Sequence, residues 1–282
     1  MPLQLTAINR YPVKSCRGEA LSEAVVEPWG LAGDRRWMVV DGDNNAVTAR
    51  EFPQLLFVRP QIVPDGIRLQ APGMADIVVR RPNSPASTVT LFHRRPFPAA
   101  FADTAAHEWV SAVVGRPCTF VYHDNPDGRP TNAEFSNPGD RVSLADGYPV
   151  LVTTEESLAT LNTLIEDGPR GDEGPLPMTR FRPNIVVSGA EPWAEDGWRL
   201  MQIGEARFRA VKGCDRCVLT TIDPDSGRKG KEPIATLARH RKWDGVTWFG
   251  MNLIPDTPGA TIRVGDHVDV LEAVSHPDGP PR

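Results

Sequence analysis

Closely spaced metal ligands are scarce in this 282-residue chain. Its four cysteines and six histidines contain one pair at short spacing, Cys214 and Cys217. Cys16 and Cys118 stand alone and the histidines are scattered, so the second ligand pair of a zinc knuckle is missing. No Gly-x-Gly-x-x-Gly turn opens a βαβ unit, so a dinucleotide-binding domain is not evident. No apolar run approaches the length that crosses a bilayer, and Met1–Asn9 lack the basic and long apolar regions of a secretory leader. Neither secretion nor a membrane span is therefore expected. Charge of neither sign dominates: 31 Lys and Arg against 36 Asp and Glu leave a net charge of −5. That balance opposes a broad nucleic-acid surface, which needs a dense basic face, so any basic pocket must be local. Four cysteines without a leader point to a reducing compartment, the cytoplasm, with free thiols.

What the chain has instead is 28 prolines and 24 glycines between many short apolar stretches, the pattern of a β-rich protein cut by turns. Leu3–Ile8, Trp37–Val40, Ala46–Ala49 and Phe57–Val63 read as strands, with hairpin turns at Asp41–Asn45 and Pro64–Gly66. Ala106, Trp109, Val110 and Val113 follow helical spacing ahead of Gly115, which predicts a helix over 105–114. His123–Asp140 collects turn residues and reads as a loop or boundary. Val150–Val152 reads as a buried strand, and Thr153 with Glu156 matches a capping box opening a second helix. Glu166–Arg180 reads as a surface loop whose tip carries no core residue. Strands are expected over Ile185–Val187, Ala206–Val211, Cys217–Ile222, Trp248–Ile254 and His267–Leu271, with a short helix over 234–241. The expected fold is mainly β (α+β): an N-terminal β-barrel-like domain over 1–122, a β-rich barrel with a few helices over 123–273, and a frayed tail over 274–282.

The most informative stretch is Gly213–Pro224. It sets Cys217 at the head of an apolar, β-branched run, so the thiol is expected on a rigid strand where it can ligate a soft metal. Zinc ligation, a thioredoxin-type redox pair and two semi-buried thiols stand beside that reading. A redox motif wants its first cysteine at a helix N-terminus, whereas the residues after Cys217 favour a strand.

Three blocks occur in order: Tyr11-Pro12-Val13-Lys14-Ser15-Cys16, Phe181-Arg182-Pro183-Asn184-Ile185, and the Cys217 segment through Asp225. Together they resemble the MOSC superfamily, named for the C-terminal domain of molybdenum cofactor sulfurase, and within it the amidoxime-reducing component branch. The resemblance covers nearly the whole chain. It implies a molybdenum cofactor (Mo-molybdopterin) with Cys217 as the catalytic residue and its protein metal ligand, and Cys214 as a non-ligand. Lys14 and Arg182 are then the leading cations for the pterin and its phosphate, Ser15 adds a hydroxyl and Asn184 a donor and acceptor. Arg35, Asp215 and Arg216 complete the contacts, with Asn252 a further one. The cofactor is expected between the two halves. Without the resemblance, Lys14 and Arg35 read first as solvated charges, while Asn184 has the plain alternative of a turn residue and Arg216 that of a strand-edge charge.

The implied activity is reduction of small N-hydroxylated compounds (hydroxylamines, amidoximes, hydroxylated nucleobase analogues) to amines or amidines. Electrons would come from an external ferredoxin, flavodoxin or flavin reductase, because four cysteines cannot hold an iron–sulfur cluster as well as molybdenum. Asp215, Asp223 and water are the available proton sources. The alternative is a carrier or sulfur-transfer module that binds the cofactor without substrate turnover, and a third reading is a structural β protein. The chain departs from the family's eukaryotic members at Asp146-Gly147-Tyr148-Pro149, where they offer hydroxyls, and at Asn252, where they place a tyrosine.

Overall fold

The computed structural model describes residues 2–83, 86–92, 95–275 and 279–282. The protein is mainly β, with a barrel-like N-terminal region, a large mixed sheet and three α-helices among the described residues. Trp37–Val40 pairs with Thr119–Tyr122, which pairs with Phe97–Phe101 and that with Ala86–Val89. A separate meander, Arg59–Val63, Gly66–Gln70 and Ile77–Arg80, turns at Pro64-Asp65-Gly66 as its composition predicts. Helix α1 (Thr104–Val114) covers this region. Asp103 caps its first turn through Ala106 N, and Gly115 ends it in the left-handed conformation at φ 83°, which glycine adopts without a Cβ penalty. Its buried face, Ala106, Trp109 and Val110, packs with Val13, Val39, Leu55, Leu69 and Phe120 into one core.

Among the described residues the larger sheet has nine strands. Its central members are Ala206–Asp215, Val246–Pro255, Val150–Thr154 and Ile185–Ser188. Gln4–Arg10 adds to Ile185–Ser188 in antiparallel register, so the first strand of the chain joins this sheet. Val150–Thr154 and Ile185–Ser188 run parallel, joined through helix α2 (Glu155–Glu166). Leu5, Ile8, Val152, Ile185, Met201, Phe208 and Leu253 are fully buried between this sheet and its cover.

Several sequence expectations differ from the structure. Ala46–Ala49 makes an isolated bridge from Ala46 to Val40, not a strand. The cap of α2 falls one residue later, on Thr154, whose hydroxyl accepts from Ser157 N. Glu156 instead accepts from Gly189 N at 2.7 Å. Residues 167–180 carry two short 3-10 turns, Gly171–Glu173 and Met178–Arg180, and Leu176 between them is buried against Leu161, Phe181 and Phe249. The tail over 279–282 folds back instead of fraying: Pro281 O accepts from Gly213 N at 2.8 Å and Arg282 pairs with Asp244. Gly279, at φ 93°, allows this return, because a Cβ there would sit 2.8 Å from the Trp243 ring. Residues 276–278 of that expected tail lie outside the described residues.

Candidate functional site

The strand Ala206–Asp215 reaches the site with two register irregularities against Val246–Pro255, between Ala210 and Lys212 and between Gly213 and Asp215. Such bulges end a ladder and re-aim side chains. The residues after Cys217 do not continue as the expected strand: Val218–Thr221 is a 3-10 turn. Two threonines explain it, because Thr220 Oγ1 donates to Cys217 O at 2.9 Å and Thr221 Oγ1 to Val218 O at 2.8 Å. Short hydroxyl side chains compete for backbone groups and favour turns over ladders. Leu219 and Ile222 then anchor the turn in the core of the first half.

The Tyr11–Cys16 block is fixed by backbone bonds from Lys14 N to Trp37 O and from Arg35 N to Tyr11 O. Tyr11 lies beneath two guanidinium groups, Arg182 at 4.3 Å and Arg35 at 4.6 Å from its ring centroid. Burial pushes its phenol up to about 12, against the pull of Arg182 and Arg35. Burial opposes the Arg35 charge too, but Asp34 and Tyr11 outweigh it and raise the guanidinium's pKa. Arg182 donates to Cys16 O at 2.7 Å, and burial lowers its pKa.

These blocks enclose a cavity of about 450 Å³. All nine sequence-derived positions line it: Lys14, Ser15, Arg35, Arg182, Asn184, Asp215, Arg216, Cys217 and Asn252. Lys14, Ser15 and Asn184 are buried, Asp215 is exposed and the others are half-buried. Asn252 donates through Nδ2 to Gly213 O at 3.0 Å. Cys214 also lines the wall, with Arg216 Nη1 2.7 Å from its Sγ, and burial raises its thiol pKa against that guanidinium.

The sequence reading missed five contributors. Arg50, Phe92, Arg180 and Lys212 line the cavity, and no motif or spacing marks any of them. Asp146, noted only as a departure, also lines it and bonds both Lys14 Nζ and Arg50 Nη2. Burial pulls the Lys14 ammonium down to about 8, with Asp146 acting the other way. Burial acts to raise the Asp146 carboxyl, but Lys14 and Arg50 outweigh it and hold it well below the usual carboxylate range.

Two features distinguish this cavity from a solvent cleft. Among the described residues seven Lys and Arg side chains line it against two carboxylates, Asp146 and Asp215, although the chain is net negative. Backbone strain also gathers there. Of seven non-glycine residues at positive φ among those described, Ser15 (68°), Arg35 (48°), Phe92 (52°) and Arg182 (55°) all line it. Left-handed residues of this kind cost roughly 1–3 kcal/mol each and persist where surrounding structure over-determines them, commonly at ligand sites. Cationic side chains therefore dominate the charge of this wall, and two thiols are set into it.

Fold and site thus define a β-rich protein with a cation-lined, thiol-bearing cavity between residues of its two halves. The chain belongs to the MOSC family: residues 3–117 match the MOSC N-terminal beta barrel domain and residues 139–269 the MOSC domain. It is 33% identical over 280 residues to the human mitochondrial amidoxime-reducing component 1, covering 93% of this chain and 81% of the relative. The mouse mitochondrial amidoxime-reducing component 1 is 34% identical, with 93% and 80% covered. A molybdenum cofactor sulfurase of Oryza sativa subsp. japonica is 31% identical over 89% of this chain but 32% of the relative's own length. Among the described residues no helix is long and apolar enough to cross a membrane.

Proposed function

We propose that this protein is a molybdenum-cofactor-dependent oxidoreductase that reduces N-hydroxylated compounds to amines or amidines. The observation that carries the reading is the half-buried Cys217 thiol in a wall of seven cations. The donor chemistry fits the cofactor: a soft thiolate suits molybdenum, and fixed guanidinium and ammonium groups suit a pterin phosphate. Arg180 Nε and Arg216 Nε are buried without a hydrogen-bond partner among the described residues, which leaves donor capacity in the same wall.

Cys217 would hold the metal. Lys14, Ser15, Arg35, Arg182 and Arg216 would hold the anionic pterin, with Asn184 and Asn252 bracing the wall. When bound, the cofactor supplies the two-electron chemistry that, with two protons, converts N–OH to N–H and water. The chain's own share is orientation and charge. Asp215, exposed and lining the cavity two residues before Cys217, would relay protons from solvent. The electron donor is proposed to be a separate redox protein.

The test is reduction of benzamidoxime by protein made in a host that synthesises the cofactor, with NADH or NADPH alone and with reduced viologen. Turnover with viologen and none with the nicotinamides supports the reading; equal rates with NADH would show an internal electron relay and overturn that part. A second reading, a carrier or sulfur-transfer module, is favoured by one observation, the second thiol Cys214 in the same wall. Full molybdenum loading without turnover from any donor would select it.

A further inference from the structure

We propose that Arg50 is a positioning residue for Cys217, aiming its sulfur into the cavity and withdrawing charge from it. The inference rests on the reading of Cys217 as the metal ligand and adds a group that no sequence block contains.

The backbone around Cys217 is fixed by its own turn, but the direction of the sulfur is not. The one hydrogen bond to Cys217 Sγ among the described residues comes from Arg50 Nε at 3.3 Å, from a residue 167 positions earlier in the sequence. Arg50 itself is held on three sides. Its Nη2 donates to Asp146 Oδ2 at 2.7 Å, its guanidinium carbon lies 4.4 Å from the Phe92 ring centroid, and Nε takes the thiol. Asp146 is held in turn by Lys14 Nζ, which also donates to Leu144 O at 2.8 Å. The result is a continuous chain of charge-assisted bonds, Lys14 to Asp146 to Arg50 to Cys217. It spans the cavity from one half of the sequence to the other.

The physical consequence follows from the planar fork of arginine. Two N–H edges in one rigid plane reach a carboxylate and a sulfur together, which a lysine ammonium on a flexible stem does not reproduce. A metal-bound thiolate keeps lone pairs that accept such a bond. Hydrogen bonds to ligating sulfur draw electron density from the metal and so favour its reduced state. Arg50 would therefore raise the reduction potential of the bound centre as well as fix the ligand's direction.

The experiment compares wild type, Arg50→Ala, Arg50→Lys and Asp146→Asn, each loaded with cofactor. Molybdenum content after dilution and the midpoint potential, followed by EPR in a redox titration, are the readouts. The expected result is a lower potential and at least tenfold weaker retention in Arg50→Ala, no rescue of the potential by Arg50→Lys, and an intermediate shift in Asp146→Asn. Asp146→Asn keeps the guanidinium but loosens its hold, so it decides the matter if Arg50→Ala fails to fold. Wild-type potential and retention in Arg50→Ala, or in Asp146→Asn where Arg50→Ala does not fold, would overturn the proposal. Failure of the underlying reading has a different signature: Cys217→Ala would retain molybdenum like wild type.

Discussion

Asn184 Oδ1 accepts from Arg35 Nη1 at 3.2 Å and from Leu151 N at 3.3 Å, while its Nδ2 donates to Asn9 O at 3.1 Å. One amide thereby ties the first strand, the Arg35 turn and the strand Val150–Thr154 together. Three of its four hydrogen-bonding positions are used, so its first task is to brace the cavity wall.

Asn184→Ala is expected to destabilise the fold as well as empty the site. The side chain is 1% exposed, and its removal strands buried partners at roughly 1–3 kcal/mol each. Thermal melting of cofactor-free protein should drop by several degrees. An unchanged melting temperature with lost cofactor binding would instead assign Asn184 wholly to the ligand.

Lys14 gives the site a pH dependence. Burial, partly countered by Asp146, brings its pKa to about 8 from 10.5. As pH rises through about 8, the folded protein loses this cation while the unfolded chain keeps it. Lys14's contribution to stability therefore rises with pH from about 8 to 10.5, while its attraction for an anion falls. Cofactor retention should fall between pH 7.5 and 9.5 in wild type. In Lys14→Met it should be roughly tenfold weaker at pH 7 and nearly flat with pH.

Glu195 predicts a second pH effect, away from the cavity. Its side chain is fully buried, with Oε2 accepting from Ser157 Oγ at 2.8 Å and Thr154 Oγ1 at 3.2 Å. Burial, with Asp196 adding to it, pushes the carboxyl up to about 7 from 4.5. The folded state then binds a proton that the unfolded state has lost, so this stability is present below pH 4.5 and declines as pH rises to 7. The loss is on the order of 3 kcal/mol. Denaturant titrations across pH 5–7.5 should show the decline in wild type and a flatter profile in Glu195→Gln.

Much of this was legible in the sequence where local chemistry and periodicity agree. Trp37–Val40 is a strand with the predicted bounds, and Ala106, Trp109, Val110, Val113 and Gly115 mark α1 almost to the residue. The nine positions converge on one cavity, because short blocks carry both their own turns and their cavity-facing groups. The misreadings share a cause. Val218–Thr221 looks like a strand by propensity, yet its threonine hydroxyls bond the backbone and close a turn. Arg50 and Lys212 reach the cavity from unmarked positions, as tertiary placement alone decides where a long cation points.

The most direct measurement is molybdenum and pterin content, by metal analysis and pterin fluorescence, in wild type, Cys217→Ala and Cys214→Ala made in a host that synthesises the cofactor. Near-stoichiometric molybdenum is expected in wild type, with a strong loss in Cys217→Ala and a much smaller one in Cys214→Ala. Equal molybdenum in wild type and Cys217→Ala would contradict that expectation, and a larger loss from Cys214→Ala would move the ligand to the other thiol.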